Sequence, residues 1–515
     1  MRMGRKVLSG IAYVVAIVSL STLQACTSSN AASITWRPIK AGDESLIVET
    51  ATLDPQLTVM PVPVGSDDSY PTPTPDPVRD EPEIRSEPIY HVVQYGDTLQ
   101  KIARTYGITV DAIMAVNDLV SPNLLHVGTT LVVPAPDLQA PGPSFKILPD
   151  SELVDGPASH LFDLQASVML SRGALLNHSE EVEGSIMNGA EIVELVAARY
   201  SVNPRLLLAL LEYQGRWLTK EAIQPQIEIY PMNYQREGFE GLFNQLCWAA
   251  DQLNMGYYLW YAGWEGPFLF SNGVAINPGE GVNAGTVGVQ YLFSQLYLAD
   301  EWRDVVSEGG FHHTFSKLFE DPFSRAIEPN LPADLTQPPL QLPFEPYRIW
   351  TYTGGPHGAW GDGSAWAALD FAPPGTVSGC VQSNEWVVAV ADGLIVRVEG
   401  GGVVQDLDSD GYEGTGWAIF YMHIEERDSV EVGTYLHAGE RIGHPSCLGG
   451  FSTGTHVHIA RKYNGHWIAA DGPIPFNLEG WISGGSGSEY NGTLRRGNVT
   501  LHACECRAPS NRISR

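Results

Sequence analysis

From about Pro346 onward the chain breaks into short apolar runs with glycines between them, and this limits its fold more than any other feature. Trp386-Val387-Val388-Ala389-Val390, Leu394-Ile395-Val396-Arg397-Val398, Trp417-Ala418-Ile419-Phe420-Tyr421 and His456-Val457-His458-Ile459-Ala460 have strand length and strand composition. Their succession, punctuated by turn residues, predicts an antiparallel all-β domain over 345–500. The preceding chain has a different texture, and 515 residues exceed what one hydrophobic core organises. A multidomain protein is expected.

Residues 150–335 read as mostly helical. Glu191 to Arg199 is amphipathic, and Asn203-Pro204 is a helix start with proline at the first helical position. Leu206 to Leu211 then runs apolar into Glu212, and further helices are expected at Phe243–Leu259 and Val287–Leu298. Residues 88–135 form a small α/β unit. Tyr90 to Val93 reads as a strand, and Tyr95-Gly96-Asp97-Thr98-Leu99 as a turn and helix start, with Asp97 as N-cap. Ile102, Ala103 and Tyr106 share a helical face, Gly107 stops the helix, Val110 to Asn117 gives a second, and Leu131 to Pro134 closes as a strand. In 27–87 the alternation of proline from Pro71 to Pro77 favours an extended tether with no core. Arg2, Arg5 and Lys6 precede an apolar run, Val7 to Leu20, that is shorter than the ~20 residues of a membrane-spanning helix.

The formal net charge is −29, and nothing in it suggests a nucleic-acid partner, since phosphate recognition needs clustered cations. Any affinity for an anionic polymer must come from specific contacts.

Ser452-Thr453-Gly454-Thr455-His456-Val457-His458 carries the most chemical information. Residues i and i+2 of a strand share a face, so two imidazoles enter one cleft. Taken alone, a polar pair on a solvated face fits equally. Upstream, Gly354-Gly355-Pro356-His357 reads as a turn-rich segment ending in histidine; Asp370 lies thirteen positions further on, and His423 follows Tyr421-Met422. His437, His444 and His466 lack such company and read as surface or outer-cleft residues.

The order His, Asp, His, His-x-His resembles the lysostaphin-like (LytM-type) zinc endopeptidases. More narrowly it is similar to the beta-lytic, LasA-like branch, with its long insert between Gly-Gly-Pro-His and Leu-Asp. The commoner pattern has a histidine four places before the aspartate, where this chain has Trp366. Cys447 to Gly454 and Tyr463-Asn464-Gly465 also look like that branch. The resemblance implies that His357, Asp370 and His458 bind Zn2+ and leave room for water, while His423 and His456 transfer protons and stabilise an oxyanion. The substrate implied is the peptide part of peptidoglycan.

Residues 88–135 look like a LysM domain of order βααβ, which implies glycan binding near Gly96, Asp97, Thr98 and Leu99 and near Asn117 to Leu124. Leu23-Gln24-Ala25-Cys26 resembles the bacterial lipobox, which implies that residues 1–26 are a signal peptide with its lipobox, cleaved before Cys26, with lipidation of Cys26 and an extracytoplasmic, membrane-anchored lipoprotein. Val202 to Glu212 is similar to the catalytic helix of lysozyme-like transglycosylases, in which the glutamate is a general acid. Tyr213 departs from that pattern, so Glu212 stands as a second catalytic group, a structural carboxylate, or a relic of a glycan-binding lysozyme-like domain.

Among the other cysteines, Cys380 and Cys447 form a possible disulfide, Cys504 and Cys506 are too close to expect a mutual bond, and Cys247 reads as a buried small residue. Asp406-Leu407-Asp408-Ser409-Asp410-Gly411 starts like a Ca2+ loop but lacks its closing glutamate; a charged hairpin tip fits as well. The function expected is that of a cell-wall hydrolase, a zinc endopeptidase held on glycan by its LysM unit. The alternative is an inactive wall-binding or amidase-activating lipoprotein, and whether His357 joins the other two ligands decides between them.

Overall fold

A computed structural model describes residues 87–122, 125–375 and 379–515. The signal peptide, Cys26, Leu124 and the tether up to residue 86 lie outside the described residues. No helix among those described is long and apolar enough to cross a membrane.

The N-terminal unit pairs β1 (Ile89–Val92) antiparallel with β2 (Thr130–Val133), with α1 (Leu99–Tyr106) and α2 (Val110–Val116) between them. Leu99, Ile102, Ile113, Leu131 and Val133 fill its core. Asn117 joins the end of α2 to β2, donating to the Ile113 and Val132 carbonyls at 2.7 Å and accepting from Val132 N at 2.8 Å. The cap of α1 is Thr98, whose Oγ1 accepts from Lys101 N at 3.1 Å, and not Asp97. Asp97 is drawn away because its carboxylate accepts from Gln94 N and meets His91 Nε2, both at 2.8 Å.

The helical region contains α3 (Gly189–Tyr200), α4 (Pro204–Gly215), α5 (Leu242–Tyr261) and α6 (Ala284–Ser294). Asn188 and Glu191 close a capping box at the start of α3, while Asn203 caps α4 ahead of Pro204. Cys247 is buried on α5.

The β region is built on β3 (Trp350–His357), β4 (Ala368–Ala372), β5 (Gly393–Glu399), β6 (Gly402–Asp406), β7 (Trp417–Met422) and β8 (Val457–Tyr463). They are ordered β5-β6-β7-β8-β4-β3 in one sheet, and all these neighbours are antiparallel. A second antiparallel sheet includes β9 (Trp481–Gly485), β10 (Gly492–Arg496) and β11 (Val499–His502). The segment expected to be turn-rich, Gly354 to His357, ends strand β3 instead; the irregularity its glycines and proline signal is a pair of register shifts against β4. Of Trp386 to Val390 only Val387–Val388 is a strand.

Alternation along the strands divides the large sheet into two faces. Val403, Ile419, Tyr421, Val457, Ile459 and Leu369 enter a core with Trp350, Trp481 and Leu494. Val404, Ala418, Phe420, Met422, Ala460 and Ala368 point the other way, into the same core as Leu206, Leu210, Leu253 and Val287 of the helices. The helical and β regions therefore share a hydrophobic core. A buried charge network reaches across the boundary at Arg199 of α3, which meets Glu183 of its own region at 2.8 Å and Glu399 of the sheet at 3.1 Å; within the β region Arg397 meets Glu399 at 2.8 Å and Glu413 at 2.6 Å, and Lys462 meets Glu413 at 2.9 Å. Burial alone would raise the Glu413 carboxyl, but Arg397 and Lys462 hold it at about 2.

Three further expectations are corrected. His466 is 4% exposed, packed among Tyr257, Tyr258 and Tyr261. His444 is buried, its ring 3.9 Å from that of Trp386, whereas His437 is exposed, as the sequence reading has it. Cys504 and Cys506 are bonded to each other: a tight turn, in which Cys506 N donates to the Cys504 carbonyl, brings the Cα atoms to 5.0 Å. Asn511 Nδ2 holds that turn through both carbonyls.

Candidate metal centre

The site lies at one end of the sheet face that the helices cover. Register pairs His458 with Asp370 and Asp370 with Gly354, which places the aspartate between β8 and β3. Glycine is required at 354, because a Cβ there would stand 2.3 Å from Asp370 Oδ2. His357 Nε2 is 3.0 Å from His458 Nδ1 and 3.2 Å from Asp370 Oδ1, and His458 Nδ1 is 3.4 Å from the same oxygen. One donor atom from each of the three thus lies within 4.8 Å of the others. Asp370 is 7% exposed, and its Oδ1 has no hydrogen-bond partner. A buried carboxylate oxygen without a hydrogen bond is costly, and a cation among these donors would satisfy it. Two imidazole nitrogens and one carboxylate oxygen suit zinc.

The outer nitrogens fix the rings. His357 Nδ1 donates to the Gly355 carbonyl at 2.7 Å and His458 Nε2 to the Ala359 carbonyl at 3.1 Å. When neutral, each ring therefore turns an unprotonated nitrogen inward, the arrangement metal-binding histidines need. Two more histidines repeat the device: His423 Nδ1 donates to the Leu448 carbonyl at 2.8 Å and His456 Nδ1 to the Gly454 carbonyl at 2.7 Å. Their rings are 4.4 Å apart, and His456 Nε2 lies 3.6 Å from Asp370 Oδ1. His423 has φ +66°, a left-handed backbone uncommon outside glycine, which is a form of strain met at functional sites. The Cys380–Cys447 disulfide ties down the start of the loop that supplies the Leu448 and Gly454 carbonyls.

Burial, with His456 and His458 beside it, holds the His423 imidazole well below its usual range. Burial likewise lowers His458. Burial alone would lower His357, but Asp370 carries it upward; burial alone would raise Asp370, but His357 and His456 hold it well below the carboxylate range.

Tyr490 carries no sequence signal. It lies between β9 and β10, and its ring stacks on His357 at 4.3 Å with 23° between planes. Its backbone bonds Pro356 and Gly355, while the residue is 47% exposed at the rim. Only the packing of the second sheet on β3 reveals the contact.

Other candidate residues lie apart from this centre. Glu212 is 8% exposed; its carboxylate accepts from Leu218 N at 3.0 Å, Thr219 N at 3.1 Å and Thr219 Oγ1 at 2.5 Å. This is the geometry of a carboxylate closing the end of α4, which favours the structural alternative. In the N-terminal unit, Gly96, Asp97 and Thr98 form the loop before α1, but the Leu99 side chain is 1% exposed and belongs to the core. Asp406, Asp408 and Asp410 lie together, yet their oxygens accept from Asp408 N, Gly411 N, Asp410 N and Tyr412 N of their own loop. That is the pattern of a hairpin tip, and nothing supports calcium.

Comparisons with known proteins add the following. Residues 91–134 match the LysM domain model, and residues 146–333 match the model of the LasA N-terminal domain. The chain is 26% identical over 343 residues to protease LasA of Pseudomonas aeruginosa, covering 63% of this chain and 75% of that one. It is 27% identical over 163 residues to the beta-lytic metalloendopeptidase of Lysobacter enzymogenes, covering 31% and 88%. A solved structure of the M23 metalloprotease pseudoalterin from the deep sea matches with a TM-score of 0.29 and 22% identity, covering 36% of this chain and all of that one. The helical region is thus similar to the LasA N-terminal domain, where the sequence had suggested a lysozyme-like one.

Proposed function

We propose that this protein is a cell-wall hydrolase, a zinc-dependent endopeptidase that cleaves the peptides of peptidoglycan. The observation that carries this is the meeting of His357, Asp370 and His458, with His456 at the same aspartate and His423 against the rings of His456 and His458. The similarity to two peptidases supports it.

Zn2+ held by His357, Asp370 and His458 would supply Lewis acidity to a peptide carbonyl and to water. The remaining chemistry belongs to side chains. His423 and His456 have their Nδ1 atoms engaged by carbonyls, so each offers Nε2 to the cleft. His423, kept neutral by burial, can take a proton there. His456, near Asp370, can hold the developing oxyanion when both its nitrogens carry protons, and His423 can return the proton it took to the leaving amine. Tyr490 closes the outer side of His357 and leaves an aromatic edge for substrate. The LysM unit, through Gly96, Asp97 and Thr98, would hold glycan and raise the local peptide concentration without altering the chemistry. Cys26, lipidated, would anchor the protein to a membrane outside the cytoplasm.

The test is digestion of purified peptidoglycan by the full-length chain, with mass analysis of the fragments and metal analysis of the protein. About one zinc per chain is expected, with new amino termini in the peptides, and His458→Ala should lose both. Fragments with intact peptides, or cleavage undiminished in His458→Ala, would overturn the proposal.

A further inference from the structure

The insert between β3 and β4, residues 358–367, connects the metal centre to the helices. At its near end the Ala359 carbonyl receives His458 Nε2–H at 3.1 Å and so decides which nitrogen faces inward. Ala359 is buried, and its N–H closes the insert on the Ala365 carbonyl at 3.1 Å. The far side is seated on the helices. Asp251 Oδ1 of α5 accepts from Gly363 N at 2.8 Å. The backbones approach so closely that a Cβ at Gly363 would stand 2.0 Å from the Asp251 carbonyl oxygen. Trp360 packs edge-on against Tyr200, with the Arg199 guanidinium 5.6 Å from its ring centre.

From this geometry we infer that Asp251, on the helical region, is a positioning residue for the metal ligand His458, acting through Gly363 and the carbonyl of Ala359. The inference rests on the proposed zinc site. Its physical basis is the short range of a hydrogen bond. The 3.1 Å contact at Ala359 needs to lengthen by only about half an ångström to be lost, and then His458 is free to rotate or exchange tautomers. Releasing the insert from α5 permits that movement. Burial pushes the Asp251 carboxyl up to about 7, so its oxygen serves Gly363 as an acceptor without needing full charge. An asparagine keeps that acceptor; an alanine does not.

The experiment measures zinc affinity of the folded full-length chain by chelator competition, with circular dichroism to verify folding. Asp251→Ala should bind zinc about 10-fold more weakly, as loss of outer-shell support does, while Asp251→Asn stays near the parent. A separate measurement needs no variant. If contact and metal are coupled, zinc must slow amide exchange at Gly363 in the unaltered chain, because coupling is reciprocal. Equal affinity in a folded Asp251→Ala chain, or exchange at Gly363 indifferent to zinc, would overturn the inference. An unaltered chain that binds no zinc would instead remove the metal site itself.

Discussion

Acid should destabilise this fold through His466, a residue outside the metal centre. The imidazole is buried against three tyrosines of α5; its Nδ1 lies 3.1 Å from Tyr257 Oη, and Trp467 N beside it donates to Tyr258 Oη at 2.9 Å. Burial pushes the imidazole from its ordinary 6.5 down to about 3. Between those values the unfolded chain binds a proton that the folded chain refuses, so stability rises with pH across the interval. The contribution is whole above about 6.5 and is lost as pH falls toward 3. At pH about 5 the loss is 1.5 units of a possible 3.5, or about 2 kcal/mol at 1.36 kcal/mol per unit. Urea unfolding of the parent and of His466→Phe at about pH 8 and about pH 5 isolates the term, since every other titrating group is common to both. The parent should lose about 2 kcal/mol more than the variant between the two conditions. Identical losses would mean that His466 reaches water in the folded state, and the tyrosine packing described above would be wrong.

Three further outcomes follow from single side chains. Arg199→Met should lower stability by about 3–5 kcal/mol in thermal unfolding, because it strips buried Glu183 of a cation and leaves Glu399 with Arg397 alone. Gly354→Ala should reduce bound zinc and peptide cleavage together by at least about 10-fold, since its Cβ displaces Asp370, while far-ultraviolet circular dichroism stays near the parent's. Glu212→Gln should lower the melting temperature and leave the sugar ends of digested peptidoglycan unchanged; altered sugar ends would restore a glycosidase role for this glutamate.

The proposed metal site was legible because strand periodicity is local. His456 and His458 announce a shared face within three residues, and a resemblance across His357, Asp370 and His423 supplied the rest. Their outer partners were not legible. The carbonyls of Gly355, Ala359, Leu448 and Gly454 carry no side-chain signature, and Tyr490 reaches His357 only through packing between sheets. Local competition misled as well: Asp97 looked like the cap of α1, but His91 and Gln94 hold its carboxylate, and Thr98 one residue later takes the cap. The pair Cys504 and Cys506 looked too close to join because the turn between them, supported by Asn511, cannot be read from spacing.

The larger omission is the union of the helical and β regions, and its trace was present in the sequence. A sheet with one solvated face alternates apolar and polar residues, whereas a strand covered on both sides reads as a continuous apolar run. Trp417-Ala418-Ile419-Phe420-Tyr421 is such a run, with Ile419 and Tyr421 in one core and Ala418 and Phe420 in the other. So many small residues on the second face, Ala418, Ala460 and Ala368 among them, imply an element packed close above it. That element is the helical region, and the ion pair between Arg199 and Glu399 ties it to the sheet's own buried charges, Arg397, Glu413 and Lys462. Since His458 and Asp370 belong to this same covered face, the walls of the cleft come from two parts of the chain that composition alone would have kept separate.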